Sequence, residues 1–160
     1  MYYTYLDTRA GTLLFIGDNR TIHGIYWKVF KGTPLPQTDW TEGEAPFNVA
    51  IQQINEYLEG KRELFDFSYE LKGTEFQKSV WRELLAIPFG KSTTYQQIAM
   101  AINNPKAVRA VGTAVGHNPL SIVVPCHRVL GVTGKLCGYA GGLDAKRTLL
   151  DREYIAYSNN

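Results

Sequence analysis

Three reactive side chains stand side by side at the end of an apolar run in the second half of the chain. The segment SIVVPCHRVLG places Cys126, His127 and Arg128 directly after Pro125. The thiolate is the nucleophilic form of cysteine, and a neighbouring imidazole or cation favours that form. Adjacent side chains of an extended strand point to opposite faces, so the imidazole can reach the sulfur only across a sharp turn. From these residues alone, Cys126 can be interpreted either as a nucleophile or as an inert buried thiol.

The cysteine content limits the kinds of site that the chain can build. Cys126 and Cys137 are the two cysteines, and their spacing fits neither a disulfide framework nor a set of zinc ligands. We interpret Cys137 as packing. We expect no metal and no cofactor, no secretory signal and no membrane span. The predicted setting is reduced and intracellular: cytoplasmic and associated with DNA, or nuclear if the source is a eukaryote.

Charge is distributed unevenly along the chain. Residues 1–71 hold six Lys/Arg against ten Asp/Glu, whereas residues 72–160 hold eleven against five. No acidic residue occurs from residue 84 to residue 143. This pattern predicts a surface that meets a polyanion, with an ordinary solvated basic face as the alternative. The cations inside the acid-free window are Lys91, Lys106, Arg109, Arg128 and Lys135.

The elements that must position these side chains differ between the two halves. Short stretches rich in β-branched and aromatic residues, followed by one apolar helical pattern, predict a small α+β scaffold over residues 1–70. Nothing in this scaffold suggests chemistry, and His23 is interpreted as a strand surface residue. The predicted elements are three strands (1–8, 11–18 and 21–30), a Pro- and Gly-containing loop (31–46), a helix (46–62) and a strand (64–71).

Residues 71–160 predict a helical domain up to Cys126. Helical patterns cover residues 73–87, 92–102 and 106–115, and Thr74 is the predicted N-cap of the first helix. A turn of three to four residues between the last two predicts a helix-turn-helix. The third helix has an inward stripe and a slim opposite face from which one long cation projects. The stripe is Val108, Val111, Gly112 and Val115, and the slim face is Arg109, Ala110 and Thr113.

The PCHRV motif at residues 125–129 resembles the active-site motif of the methylated-DNA–protein-cysteine methyltransferases, which act on 6-O-alkylguanine. The blocks TEFQKSVWRELLAIPFGKSTTYQQIA, AVRAVGTAVGHNP, IVVPCHRV and GYAGGLDAKRTLLDRE follow in that family's order. The first 70 residues resemble the family in length and coarse pattern. The implied fold is α+β: a small N-terminal lobe of sheet and helix, ribonuclease H-like, over residues 1–70, and a C-terminal winged helix-turn-helix domain over residues 71–160.

The resemblance also implies a chemistry. Cys126 would take the alkyl group by in-line attack and keep it as a thioether, so each molecule would react once. His127 would act as general base through a water, and Glu153 would hold the imidazole in place. Tyr95 would donate a hydrogen bond to the leaving guanine, and Asn118 would brace the turn before the active-site segment.

The implied partner is double-stranded DNA carrying an alkylated guanine, bound by a monomer. Arg109 would fill the space left by a flipped nucleotide. A helix-turn-helix alone suggests the major groove, whereas the family places its slim helix in the minor groove, which we expect here. Action on 4-O-alkylthymine and side-by-side binding along DNA stay open. Further predicted DNA contacts are Ala110, Thr113, Lys106, Lys91, Thr94, Arg128 and Lys135, and the predicted pocket residues are Val129, Tyr139, Ala140 and Gly141.

The sequence departs from the family pattern at three points. Ala140 stands where many relatives carry a serine, and His117 stands at a position that is often basic. The zinc ligands that some relatives carry in the N-terminal lobe are absent. Two other functions are alternatives: a sensor of alkylated bases without transfer chemistry, against which Cys126 argues, and a thiol hydrolase, which would need a recognisable oxyanion element.

Overall fold

A computed structural model describes residues 1–29 and 32–159. The first lobe is built on a four-stranded sheet in the order β3-β2-β1-β4. Strands β1 (Tyr2–Thr8), β2 (Gly11–Gly17) and β3 (Ile22–Trp27) form an antiparallel meander, and the short β4 (Thr41–Glu42) runs parallel to β1. The end of the predicted third strand, Phe30, and the start of the predicted loop, Lys31, lie outside the described residues, as does Asn160.

One helix covers this sheet. Helix α1 (Asn48–Leu58) follows a 3₁₀ turn at Ala45–Phe47. It buries Ile54 and Tyr57, and Phe47 at its start is buried too; each such side chain contributes roughly 1.5–3 kcal/mol through loss of apolar surface from water. The strand predicted at residues 64–71 is wrong, because the structure shows only an isolated backbone bridge between Ile22 and Tyr69. Its alternating aromatic side chains pack half-buried against the core instead.

The second lobe is mainly helical, so the α+β architecture expected from the sequence is confirmed. Its helices are α2 (Glu75–Leu85), α3 (Tyr95–Ala101), α4 (Val108–Gly116) and α5 (Leu143–Arg152). Two short parallel strands, β5 (Thr93–Thr94) and β6 (Val129–Leu130), pair beside them. Reciprocal capping boxes begin α2 at Thr74 and α3 at Thr94. The connection from α3 to α4, residues 102–107, is longer than the three to four residues expected.

Helix α4 has the two faces that its sequence pattern predicts. Val111 and Val115 are buried, while Arg109, Ala110 and Thr113 are exposed. The indole Nε1 of Trp81 in α2 donates a hydrogen bond to the Ala114 carbonyl at 2.9 Å, which anchors the buried face. The exposed face therefore carries one long cation among small side chains.

The two lobes share backbone pairing and one continuous core. The amide of Ile25 in β3 donates to the Pro119 carbonyl at 2.8 Å, and the amide of Ser121 donates back to the Ile25 carbonyl at 2.9 Å. One cluster of buried side chains extends from Trp27 and Phe47 to Trp81 and Leu120. The edge of the N-terminal sheet thus holds the segment that leads to Cys126. Within the described ranges, every helix is too short or too polar to cross a membrane.

Candidate active site

A tight turn, rather than a strand, delivers the thiol. The composition of the apolar run at residues 121–124 favours a strand, but the amide of Val124 donates to the Leu120 carbonyl at 2.9 Å and closes a turn. Ile122 lies in the left-handed region with φ 73°, where a β-branched residue costs roughly 1–3 kcal/mol. Its side chain is buried in the core, which compensates. A 3₁₀ turn at Cys126–Arg128 follows and supplies the sharp bend that the chemistry requires.

Asn118 ties this turn to the sulfur. Its Nδ2 donates to the Val124 carbonyl at 2.7 Å and to Cys126 Sγ at 3.1 Å, and its Oδ1 accepts from the Leu120 amide at 2.9 Å. Burial raises the pKa of the Cys126 thiol, and the Asn118 hydrogen bond and the charge of Lys146 oppose that rise. The resting thiol is therefore protonated and needs a base.

His127 and Glu153 form a buried pair behind the thiol. His127 Nε2 lies 2.5 Å from Glu153 Oε2, and neither side chain is exposed. Since a carboxylate can only accept, Nε2 carries the hydrogen and Nδ1 keeps the free lone pair. Within the described part of the chain, no group hydrogen-bonds to Nδ1. Burial lowers the pKa of His127, so the imidazole is neutral and able to accept a proton.

The carboxylate of Glu153 is held by several donors at the end of α5. Its Oε1 accepts from Arg128 Nε at 2.7 Å and from the Gly90 amide at 3.0 Å. Burial alone would raise the pKa of Glu153, but the hydrogen bonds from His127 and Arg128 and the positive charge of Arg128 outweigh it and lower the pKa to about 2. Glu153 is thus ionised and fixed in orientation.

Arg128 does not belong to the DNA-binding surface, and the prediction of a DNA contact there is wrong. Its side chain is buried, and Nη1 donates to the Ile87 carbonyl at 2.6 Å while Nε and Nη2 bind Glu153. The positive charge of Arg128 therefore stabilises the buried carboxylate of Glu153.

A cavity of about 410 Å³ opens beside the sulfur of Cys126. This volume is large enough for a nucleobase-sized ligand. Of the predicted pocket residues, Tyr139 and Ala140 line it. Val129 is fully buried outside this lining, and Gly141 packs against Trp27, where an added Cβ would lie 2.7 Å from the indole. The other residues that line the cavity include Tyr95, Gly112, Thr113, His117, Asn118 and Ser121.

Two tyrosines present hydroxyl groups near the cavity. Burial raises the pKa values of both Tyr95 and Tyr139, so both phenols keep their protons. Tyr95 begins α3, and its hydroxyl lies 3.7 Å from Cys137 Sγ. The Tyr139 hydroxyl accepts a hydrogen bond from Trp27 Nε1 at 3.1 Å. Tyr95 can therefore donate to a bound base.

Sequence reasoning missed three residues that support the site. Lys146 is fully buried on α5, and its Nζ donates to the carbonyls of Val129 at 2.7 Å and Cys137 at 3.1 Å. Its position on the apolar face, next to Ala145 and one turn before Leu149, is a signal of burial. Tyr57 and Trp27 come from the N-terminal lobe, and their apolar spacing predicts burial but no role.

The predicted DNA contacts other than Arg128 are exposed or half-buried. Lys106, Arg109, Ala110 and Thr113 line a groove between α4 and the start of α2. Lys91 and Lys135 are exposed. Thr94 is half-buried, and its hydroxyl accepts from the Gln97 amide at 3.1 Å as the cap of α3. The structure thus brings four of the predicted contacts together around α4.

The exposed face of α4 lies beside a cavity that ends on the buried thiol of Cys126, which is the arrangement of a DNA-binding protein that reacts through cysteine. Residues 75–155 match the family model of the 6-O-methylguanine DNA methyltransferase DNA binding domain, and residues 1–71 match that of the ribonuclease-like domain of the same enzymes. The chain belongs to the 6-O-methylguanine DNA methyltransferase family.

Relatives share both lobes. The methylated-DNA–protein-cysteine methyltransferase of Methanosarcina barkeri is 44% identical over 154 residues, which cover 96% of this chain and 97% of the relative. The same-named protein of Mycobacterium tuberculosis is 42% identical, with coverage of 96% and 92%. A crystal structure of Mycobacterium tuberculosis OGT in complex with DNA superposes with a TM-score of 0.88 at 41% identity and covers 96% of this chain and 92% of that one.

Proposed function

We propose that this protein repairs alkylated DNA by moving a methyl or larger alkyl group from the 6-oxygen of guanine to Cys126. The observation that carries the proposal is the thiol of Cys126 at a cavity beside α4, with the neutral His127 as its neighbour. The relatives that share both lobes are named for this transfer. A cavity that opens next to a DNA-binding helix suits a flipped base.

The proposed reaction balances as follows. The thiol proton of Cys126 passes to Nδ1 of His127 through a water, and the sulfur electron pair attacks the alkyl carbon. A carbon–sulfur bond forms as the carbon–oxygen bond breaks, and its electron pair goes to the guanine. The Tyr95 hydroxyl donates a hydrogen bond that stabilises the departing guanine and keeps its own proton, while the guanine takes a proton from water and the imidazolium of His127 returns the thiol proton to water. In sum, the thiol proton ends on guanine and the protein keeps a thioether, so each molecule reacts once.

The proposed substrate is a duplex that carries an alkylated guanine, bound by a monomer from the minor-groove side. The small side chains Ala110 and Thr113 let α4 approach a narrow groove, and Arg109 takes the place of the extruded nucleotide. A damaged, poorly paired base costs least to extrude, which favours the lesion over intact guanine. The protein would act in the compartment that holds DNA.

Intact mass after incubation with an oligonucleotide containing 6-O-methylguanine tests the proposal. The wild-type protein should gain about 14 Da, one methyl in place of a thiol hydrogen, and peptide mapping should locate it on Cys126. Cys126→Ser should gain nothing and bind DNA within a few-fold of wild type. Cys137→Ser is the matched control and should still gain the methyl. Tight binding of the lesion without any gain in mass would instead indicate a sensor of alkylated bases.

A further inference from the structure

Tyr57 is an N-terminal-lobe residue that reaches the active site. It lies on the buried face of α1, three residues after Ile54, and its side chain is fully buried. Its ring packs against Phe65, Phe89 and the imidazole of His127, with ring centroids 5.7, 6.3 and 6.4 Å away. This packing leaves the hydroxyl directed at the base of the reaction.

The hydroxyl of Tyr57 and the imidazole of His127 share one oxygen atom. Tyr57 Oη donates to Glu153 Oε2 at 2.5 Å, the same oxygen that His127 Nε2 contacts at 2.5 Å. Oη and Nε2 are 3.4 Å apart. Arg128 Nη2 also donates to Oε2, at a longer distance of 3.2 Å, whereas Oε1 accepts from Arg128 Nε and the Gly90 amide. The hydrogen bonds at Oε2 therefore influence how strongly Glu153 interacts with the imidazole of His127.

Tyr57 is a permanent donor at this oxygen. Burial and the negative charge of Glu153 raise the pKa of Tyr57, so the hydroxyl keeps its proton throughout the working pH range. A donor to Oε2 withdraws negative charge that would otherwise stabilise an imidazolium. The titratable and charged groups around His127 are Tyr57 from α1, Lys146 and Glu153 from α5 and its end, and Cys126 and Arg128 from its own turn.

These groups act on His127 in opposite directions. Burial, Arg128 and Lys146 disfavour the imidazolium, and Glu153 favours it. The Tyr57 hydroxyl acts against Glu153, so it helps to keep the base neutral. Trp27 gives the N-terminal lobe a second connection of the same kind, since it holds the hydroxyl of Tyr139 at the cavity.

We infer that Tyr57 is a positioning residue for alkyl transfer, and that the N-terminal lobe uses it to set how firmly Glu153 holds the proton-accepting imidazole of His127. The inference rests on the proposed function. It adds that residues 1–71 help to position the base through Tyr57. That lobe contributes more than support, because it completes the hydrogen-bond network of the base.

Tyr57→Phe isolates the hydroxyl, since the ring and its packing remain. The measurement is the single-turnover transfer rate on a single-stranded 6-O-methylguanine oligonucleotide from mildly acidic to mildly alkaline pH. The rise of rate with pH should move to higher pH by about one unit, the size expected for one hydrogen bond to a charged group. The variant should be roughly tenfold slower on the acidic side, as one unit implies, and should approach the wild-type rate on the alkaline side.

Tyr69→Phe is the matched control. Tyr69 is a half-buried tyrosine of the same lobe, and within the described residues its hydroxyl makes no hydrogen bond. This variant should keep the wild-type pH profile. If the transfer rate of Tyr57→Phe falls by the same factor at every pH, Tyr57 has only a structural role. If the rate and its pH profile are unchanged, Tyr57 has no role in alkyl transfer.

Nuclear magnetic resonance of histidines labelled with ¹⁵N tests the same network without relying on transfer or on the variant's yield. In the wild-type protein, the His127 ring should be neutral at neutral pH with its hydrogen on Nε2. A charged ring, or a hydrogen on Nδ1, would overturn the inference. Wild-type protein that accepts no methyl but shows this tautomer would contradict the proposed function and leave the Tyr57 network standing.

Discussion

The side-chain amide of Asn118 donates one hydrogen bond to Cys126 Sγ at 3.1 Å and another to the Val124 carbonyl at 2.7 Å. One residue thus joins the shape of the turn to the ionisation of the thiol. Because burial raises the pKa of that thiol, a donor aimed at the sulfur stabilises the thiolate in a site that otherwise disfavours it.

Asn118→Ala should slow alkyl transfer by roughly 10- to 100-fold, because a hydrogen bond to a charged group contributes about 1.5–3 kcal/mol. The measurement is the single-turnover rate on free 6-O-benzylguanine, which needs no DNA. Denaturant unfolding of the same variant separates this effect from loss of the Leu120 hydrogen bond. A wild-type rate in a folded variant would mean that Asn118 only shapes the turn.

His127→Ala should slow transfer by roughly 10²–10⁴-fold, the range for loss of a general base. The rate of the wild-type protein should rise with pH as the imidazole loses its proton. Burial lowers the pKa of His127, so this rise should lie below the pH at which an exposed histidine titrates. A wild-type rate that is independent of pH, together with an active variant, would show that the thiolate forms by another route.

Glu153 should make the fold sensitive to acid. Its pKa is about 2 in the folded protein against an ordinary value of 4.5, so the unfolded chain takes up the proton first. The stabilisation is fully present above the ordinary pKa and is lost as pH falls from about 4.5 through about 2. Urea unfolding across this range should show less acid sensitivity in Glu153→Gln. Identical pH dependence in both proteins would contradict the assignment.

Arg109→Ala distinguishes insertion into the duplex from simple charge attraction. If the side chain fills the gap left by an extruded base, repair of a duplex lesion should slow strongly, single strands should suffer less, and reaction with free 6-O-benzylguanine should stay nearly unchanged. The measurement is the ratio of single-turnover rates on duplex and free base. Equal losses on both would show that Arg109 supports the fold or the pocket.

Affinity for duplex DNA should fall as salt rises, because cations on the protein displace counterions from phosphates. Lys106→Ala should reduce the slope of log affinity against log salt by about one unit. Arg128 is buried against Glu153, so Arg128→Met should leave that slope unchanged while it impairs transfer or folding. A smaller slope in Arg128→Met would show that Arg128 contacts DNA phosphates, contrary to its burial against Glu153.

The sequence was most informative where the pattern is local. The spacing of Val108, Val111 and Val115 predicts the buried face of α4, and Thr74 predicts the start of α2, because both depend on neighbours within a turn or two of helix. These signals placed Arg109 and Thr113 on the exposed face without knowledge of the rest of the fold.

Contacts between distant parts of the chain left no such signal. Arg128 follows a histidine in a basic window, which suggested DNA, but its partner Glu153 is 25 residues away. Tyr57 and His127 are 70 residues apart, and only the packing of one lobe on the other brings them together. The run at residues 121–124 favours a strand by propensity, and tertiary packing overrode that preference.

The strained conformation of Ile122 makes the core and the chemistry depend on each other. At φ 73° this residue keeps an unfavourable conformation, which its buried side chain and the hydrogen bonds of the turn compensate. We expect a cavity introduced beneath it to let the backbone relax toward an ordinary conformation and to weaken the contact between Cys126 and Asn118. The reaction rate of the thiol should therefore depend on packing in the core around Ile122. Core substitutions there should slow repair more than they lower the melting temperature.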